Sequence, residues 1–233
     1  MVTALSLVNA FDFIARFYRT DKSSLSNDYS PYYQRHLGPR RFKKSVVLEL
    51  GVGGTANRHA GGNSLHLWRD YMPRATIVGL DIHPKELPFL GRRVHVVQGD
   101  QASPDDLGRI LDRFGVPDVV IDDGSHVGAD VISSFTYLFN RMRTGGIYVI
   151  EDLFFSFEDE YGGSEDPGPD TALGLLDELL RSMQRGHGHV IERERLGLSA
   201  HEVLEDDTLA KRVLGLAAVH GYPGIVFIEK SER

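Results

Sequence analysis

Apolar residues along this chain follow two alternating rhythms. The runs Val46–Leu50, Thr76–Leu80, Val94–Val97, Asp118–Ile121 and Ile147–Ile150 are short, rich in β-branched residues and bounded by glycine or a carboxylate. That pattern predicts strands buried on both faces, as in a parallel sheet. Between them, apolar positions recur at helical spacing around Ser64–Tyr71, from Ser103-Pro104 onward and near Ala129–Met142. Ahead of the first strand, Leu7, Phe11, Ile14 and Phe17 or Tyr18 predict a helix over Ser6–Tyr18. A polar loop, Thr20–Ser24, leads to a second short helix entered through Ser30-Pro31, with proline at its first position. Near the other end, a helix over Thr171–Arg185 precedes two apolar runs, Val213–Val219 and Ile225–Glu229, which read as a hairpin. Strands alternating with helices predict an α/β fold: a doubly wound, mostly parallel, seven-stranded sheet ending in an antiparallel hairpin.

Composition narrows the class. At 233 residues and 41% apolar content, the chain can bury one substantial core, so a single domain is expected. It divides into a helical segment (1–44), a ligand-binding core (45–152), a long loop (153–170) and a C-terminal helix with hairpin (171–233). The absence of cysteine excludes a disulfide framework, a thiolate nucleophile and cysteine-ligated zinc. Met1–Ser6 lacks a basic region followed by a long apolar stretch, and no apolar run approaches roughly 18 residues, so a cytoplasmic location is expected and no membrane span. With a net charge of −7 and only Arg40, Arg41, Lys43 and Lys44 clustered, nucleic acid is not an expected partner.

The chemistry gathers at the strand ends, which in open α/β sheets face the ligand crevice. Glu49-Leu50-Gly51-Val52-Gly53-Gly54-Thr55 closes the first strand with glycines that let the backbone turn sharply and approach a ligand. Gly51, Gly53 and Ala56 satisfy the loose spacing of a nicotinamide-dinucleotide loop, which keeps a reductase as an alternative. Against it, the loop runs on through Gly62, too long for a tight pyrophosphate turn, and Glu49 suits a cationic or amino-bearing ligand. Asp81 ends the second strand, where an acid can accept both hydroxyls of a ribose. Gly99-Asp100-Gln101 follows the third, placed to meet an adenine edge, although Asp105 competes as the cap of the next helix. The fourth strand ends in Asp122-Asp123-Gly124-Ser125-His126 and the fifth in Glu151-Asp152. Adjacent residues of an extended segment point to opposite sides, so one of Asp122 and Asp123 can face a bound cofactor while the other faces the substrate crevice. All-oxygen ligands select magnesium, manganese or calcium.

The series E-x-G-x-G, an acid ending strand two, G-D after strand three and an acid ending strand four resembles class I S-adenosylmethionine-dependent methyltransferases, over about Val46 to Asp152. The resemblance implies S-adenosylmethionine as cofactor, with Glu49, Gly51, Gly53, Ser64, Asp81, Asp100, Gln101 and Asp122 expected around it. The pattern I-D-D-G-S-H followed by I-E-D-L is similar to a narrower group, the metal-dependent sugar O-methyltransferases of macrolide and tetracenomycin-type antibiotic biosynthesis. Thr20-Asp21-Lys22 and G-G-N-S then W-R-D-Y-x-P-x-A at Gly61–Ala75 look similar as well. This resemblance implies Asp123, Glu151 and Asp152 as metal ligands, His126 as general base and a deoxysugar hydroxyl of a glycosylated natural product as acceptor. The chemistry is coherent: coordination to a dication lowers a hydroxyl's pKa, and an imidazole then takes the proton.

A catechol-type metal-dependent O-methyltransferase is the nearest rival. That class usually deprotonates with a lysine, and no lysine stands near either acidic cluster in the sequence. A binding module without chemistry need not keep Asp123, His126, Glu151 and Asp152 together. His59 and His220 are the next candidates for substrate contact, and Leu153–Asp170, read as lacking regular structure, is the candidate lid. Some of these sugar methyltransferases carry an additional N-terminal domain that builds their oligomer. This chain opens almost directly on the catalytic fold, and a homo-oligomer is expected.

Overall fold

The computed structural model describes residues 9–196 and 215–231. Two helices, α1 (Ala10–Phe17) and α2 (Ser30–Leu37), precede β1 (Val46–Leu50), α3 (Asn63–Tyr71), β2 (Thr76–Asp81) and β3 (Val94–Gln98). The chain continues through α4 (Pro104–Phe114), β4 (Val119–Asp122), α5 (Gly128–Arg141), β5 (Ile147–Ile150), α6 (Ala172–Leu196), β6 (Leu216–Tyr222) and β7 (Ile225–Lys230). The strands form one sheet in the order β3-β2-β1-β4-β5-β7-β6. β1 to β5 pair in parallel, while β7 runs antiparallel to both β5 and β6. The chain winds outward from β1 to β3, then crosses back to β4. The crevice at the carboxyl ends of β1 and β4 is therefore the switch point where such sheets bind ligands.

Strand alternation sorts the core into two layers. Val47, Ile77, Val119, Ile121, Ile147, Val149, Ile225 and Phe227 pack with Phe11, Tyr33, Trp68 and Tyr71 of α1–α3. Leu48, Leu50, Val78, Leu80, Val120, Tyr148, Ile150, Val226 and Ile228 pack with the helices on the opposite face, through residues such as Leu107, Phe135, Phe139 and Leu179. Because both faces are covered, the inner strands read as near-continuous apolar runs. Local signals fix the helix starts: the Ser103 side chain accepts a hydrogen bond from Asp106 N, and Pro104 occupies the first turn of α4.

The bounds expected for β1 and β5 coincide with those observed. α6 runs well past Arg185, to Leu196. Ser6, Leu7 and Val8 at the start of the first expected helix, and Val213 where the hairpin pattern begins, lie outside the described residues. The loop after β5 differs from the expectation. Leu153–Phe157 and Asp159–Tyr161 form two 3-10 turns. They are tied by backbone bonds from Gly163 N to Glu158 O (2.9 Å) and Ser164 N to Ser156 O (3.1 Å). The aromatic residues pack on one another with tilted rings, Phe155 on Tyr161 at 4.2 Å and Phe154 on Phe155 at 4.6 Å. Among the described residues, no helix is long and apolar enough to cross a membrane.

Candidate active site

A crevice of about 380 Å³ opens at the carboxyl ends of β1, β2 and β4. Its walls come from four loops: Gly51, Gly53 and Gly54 after β1, Asp81 at the end of β2, Asp100 and Gln101 after β3, and Asp123 to His126 after β4. Asp21 and Asp152 close one side. The β1 loop lies against the β4 loop so closely that a Cβ on Gly51 (φ +82°) would meet Asp123 O at 2.1 Å. Only glycine permits both that backbone angle and that approach.

Asp81 knits the floor. Its carboxylate accepts hydrogen bonds from Val52 N (3.2 Å) and His83 N (2.8 Å). Lys85, one helical turn's length further on, donates to Gly53 O and Thr55 O, both at 2.6 Å, and so pins the glycine loop. Gln101 bridges two loops, donating to Asp122 (3.0 Å) and accepting from Ser125 N (2.9 Å). The Asp100 carboxylate accepts from Ala102 N at 2.8 Å and its side chain stays exposed.

Glu49, Ser64 and Asp122, expected at the cofactor, do not line the crevice. For Glu49 and Asp122 alternation explains this, since a residue inside the strand end points into a helix layer and only the next residues turn into the crevice; Ser64, on α3, is turned toward Glu49. Glu49 points toward α3, fully buried, accepting hydrogen bonds from Ser64 Oγ (2.8 Å) and Trp68 Nε1 (2.9 Å). Burial raises its pKa to about 7, against the opposing pull of Lys22. Asp122 points to the opposite layer and accepts from Ser134 Oγ and Tyr148 Oη, each at 2.7 Å. Burial raises its pKa to about 6, while the hydrogen bonds from Ser134, Tyr148 and Gln101 hold it down.

Asp123, His126 and Asp152 do converge: each offers a ligand atom, and these atoms lie within 4.8 Å of one another. His126 Nε2 stands 3.9 Å from Asp123 Oδ1. His126 (φ +58°) and Asp152 (φ +55°) both adopt the left-handed backbone, which for non-glycine residues is a conformation the surroundings must enforce. The His126 ring stacks on Phe155 at 4.7 Å, so the first 3-10 turn after β5 sets the imidazole plane. Asp152 accepts from Tyr29 Oη (2.6 Å) and Asn27 Nδ2 (3.2 Å).

Glu151 is directed elsewhere. It accepts hydrogen bonds from Tyr33 Oη and from Lys22 Nζ, the latter at 3.0 Å. Lys22 Nζ also contacts Asp123 Oδ2 at 2.5 Å and lies 3.9 Å from Glu49. The view that no lysine approaches the acidic clusters is therefore corrected, because the fold delivers Lys22 from the loop after α1. Its side chain is fully buried. Burial alone would lower its pKa, but Asp123 and then Glu151 outweigh that and hold it well above the ordinary lysine value. That direction favours the ammonium form as long as Asp123 and Glu151 keep their charge. Burial raises the pKa of Asp123 and Glu151, and Lys22 opposes the rise in both.

Neither secondary histidine lines the crevice. His59 is exposed near Glu86, and His220 sits on β6 beside His36 and Glu229. Lys22, Tyr29, Tyr33 and Lys85 were not singled out as site residues from the sequence. Only Thr20-Asp21-Lys22 carried any signal, as part of a family resemblance.

In fold and in sequence the chain is similar to α/β methyltransferases. It is related to the sugar O-methyltransferases of antibiotic pathways over nearly all of its length. It is 37% identical over 228 residues to the mycinamicin VI 2''-O-methyltransferase of Micromonospora griseorubida, covering 93% of this chain and 51% of that protein. To the 8-demethyl-8-alpha-L-rhamnosyl tetracenomycin-C 2'-O-methyltransferase of Streptomyces olivaceus it is 36% identical, over 87% of this chain and 50% of that protein. The solved structure of the MycE methyltransferase of mycinamycin biosynthesis in complex with Mg, SAH and mycinamycin VI matches at a TM-score of 0.79 and 34% identity. That match covers 95% of this chain and 54% of the solved one. The chain thus spans about half the length of the curated relatives it matches. No protein-family model matches it.

Proposed function

We propose that this chain catalyses S-adenosylmethionine-dependent, divalent-metal-dependent O-methylation of a deoxysugar hydroxyl on a glycosylated natural product, as a cytoplasmic biosynthetic enzyme. The observation that carries the reading is the meeting of Asp123, His126 and Asp152 at the wall of a glycine-floored crevice. Relatives that act on mycinamicin and tetracenomycin glycosides support the acceptor class. The reading takes residues 1–233 as one methyltransferase domain, with 153–170 as a lid, acting in a homo-oligomer.

The crevice lining fits the cofactor, and Asp123, His126 and Asp152 fit a cation, while Glu151 is engaged by Tyr33 and Lys22. Gly51, Gly53, Asp81, Asp100 and Gln101 are the proposed cofactor contacts: positive-φ glycine backbone for close approach, and acids for ribose and adenine polar edges. Asp123 and Asp152 supply carboxylate oxygens of the kind magnesium prefers, and Glu151 is the proposed third ligand on its place in the I-E-D-L pattern. When bound, a divalent cation supplies Lewis acidity that makes an acceptor hydroxyl easier to deprotonate. His126 takes that proton at Nε2, oriented by Phe155. The crevice loops then present the nucleophilic oxygen and the methyl donor in line, and positioning supplies much of the acceleration. Lys22 stays protonated and balances the buried carboxylates.

Chelation followed by magnesium add-back tests the metal requirement: methyl transfer is lost and then restored, and full activity in excess chelator would exclude it. His126→Ala retains S-adenosylmethionine affinity while turnover falls by about 10²–10⁴-fold. Near-normal turnover would remove His126 from the base role. Glu151→Gln weakens magnesium binding measured by calorimetry, and an unchanged affinity rejects it as a ligand. The catechol-type alternative would use Lys22 as its base, and near-normal turnover in His126→Ala would favour it. Thermal stabilisation by S-adenosylhomocysteine and not by nicotinamide dinucleotides separates the proposal from a reductase.

A further inference from the structure

Away from the crevice, His36, His220 and Glu229 form a second cluster at the antiparallel edge of the sheet. Each offers one ligand atom, and the three atoms lie within 4.8 Å of one another. Glu229 Oε1 stands 3.5 Å from His36 Nδ1 and 3.4 Å from His220 Nε2. Tetrahedral zinc with bonds of roughly 2.0–2.1 Å spaces its ligand atoms by about 3.4 Å along each edge. The two measured edges match that spacing.

The ligand atoms are also oriented. Tyr222 Oη sits 2.9 Å from His36 Nε2, leaving Nδ1 turned toward Glu229. Metal-bound histidines are typically fixed in this way, by a partner on the ring's other nitrogen. The Tyr222 ring is itself stacked on Tyr32 at 4.1 Å, and the His36 ring on Phe227 at 4.4 Å. Sheet register supplies the rest: His220 lies opposite Phe227, so His220, Phe227 and Glu229 share the face that receives α2. His220 and Glu229 remain about one-third exposed, leaving a route for an ion and a water in the fourth position.

We infer that His36, His220 and Glu229 form a second divalent-cation site, selective for a borderline metal such as zinc over magnesium. Two imidazoles and one carboxylate suit zinc, cobalt or nickel, whereas the oxygen-rich crevice suits magnesium. The site is separate in composition and place from the residues of the proposed methyl transfer.

The test is cobalt(II) titration of the full chain in excess magnesium, read by visible absorption. One equivalent binds with the intense spectrum of a four-coordinate ion, and zinc displaces it. His220→Gln and Glu229→Gln lose that spectrum, Asp123→Asn keeps it, and Tyr222→Phe weakens binding by roughly 10–100-fold. Circular dichroism establishes that each variant is folded. His220 is partly exposed on an edge strand, so its substitution leaves the core intact. Wild-type cobalt binding by both His220→Gln and Glu229→Gln overturns the site, as does loss of the spectrum in Asp123→Asn or its absence in the unsubstituted chain.

Discussion

Lys22 reaches residues 101 and 129 positions away, contacting Asp123 and Glu151. Removing one member of a buried ion pair leaves the partners' charge uncompensated, at a cost of about 3–5 kcal/mol. Lys22→Met therefore destabilises by that order in urea unfolding, and magnesium recovers more stability in the variant than in the parent. An equal magnesium effect on both would separate the lysine from the metal site. Glu49 gives a pH signature. Its folded pKa, about 7, lies above the usual carboxylate value, so the folded state binds the extra proton between about pH 4.5 and 7. Stability from this group is lost as pH rises through that window, by about 1.4 kcal/mol per unit, and is level above it. Glu49→Gln gains on the parent across the same window, and a pH-independent difference would contradict the assignment. At this scale the acids at the strand ends were legible, because carboxylates closing apolar runs stand out. Their partners were not: which layer Glu49 and Asp122 enter depends on strand parity at the last residue, and Lys22 arrives through a tertiary contact that no local pattern encodes.

Among the elements, the inner strands were the most legible, since burial on both faces leaves a near-continuous apolar run with sharp ends. The segment after β5 was the least. Its glycines, prolines and acids read as irregular loop, whereas the packing of Phe154, Phe155 and Tyr161 organises its first part into 3-10 turns beside His126. Phe155→Ala accordingly lowers turnover while leaving S-adenosylmethionine affinity unchanged. Equal losses in both would mean that the turn supports the whole crevice and not the imidazole alone. The contact between the β1 and β4 loops is equally specific. Gly51→Ala forces Asp123 O away and strains φ, so both cofactor affinity and melting temperature fall. Retention of either would show that the loops part without consequence.

For the molecule as a whole, cofactor binding and folding are linked because the crevice walls come from loops after four different strands. A ligand present at about 100 times its Kd adds about 2.7 kcal/mol. In a chain of this size that corresponds to a rise in melting temperature of roughly 5–10 °C. S-adenosylhomocysteine produces such a rise in the parent and little in Asp81→Ala at the same concentration; equal shifts would reject the ribose assignment. The sheet order and the crevice position follow from the alternation of strands and helices. The closing of one side of the crevice by the segment before β1 does not, because nothing in that segment's own pattern names its destination. That segment also sets how the N-terminal part of the fold breathes. Lifting the stretch from residue 20 to 33 would strip Glu49, Asp123 and Glu151 of their shared counter-ion in one motion and remove the Tyr29 and Tyr33 hydroxyls from Asp152 and Glu151. Its hydrogen-bonded amides, such as those of Ser23, Asn27 and Tyr33, should consequently exchange with solvent only when the sheet itself opens, although the stretch lies at the periphery.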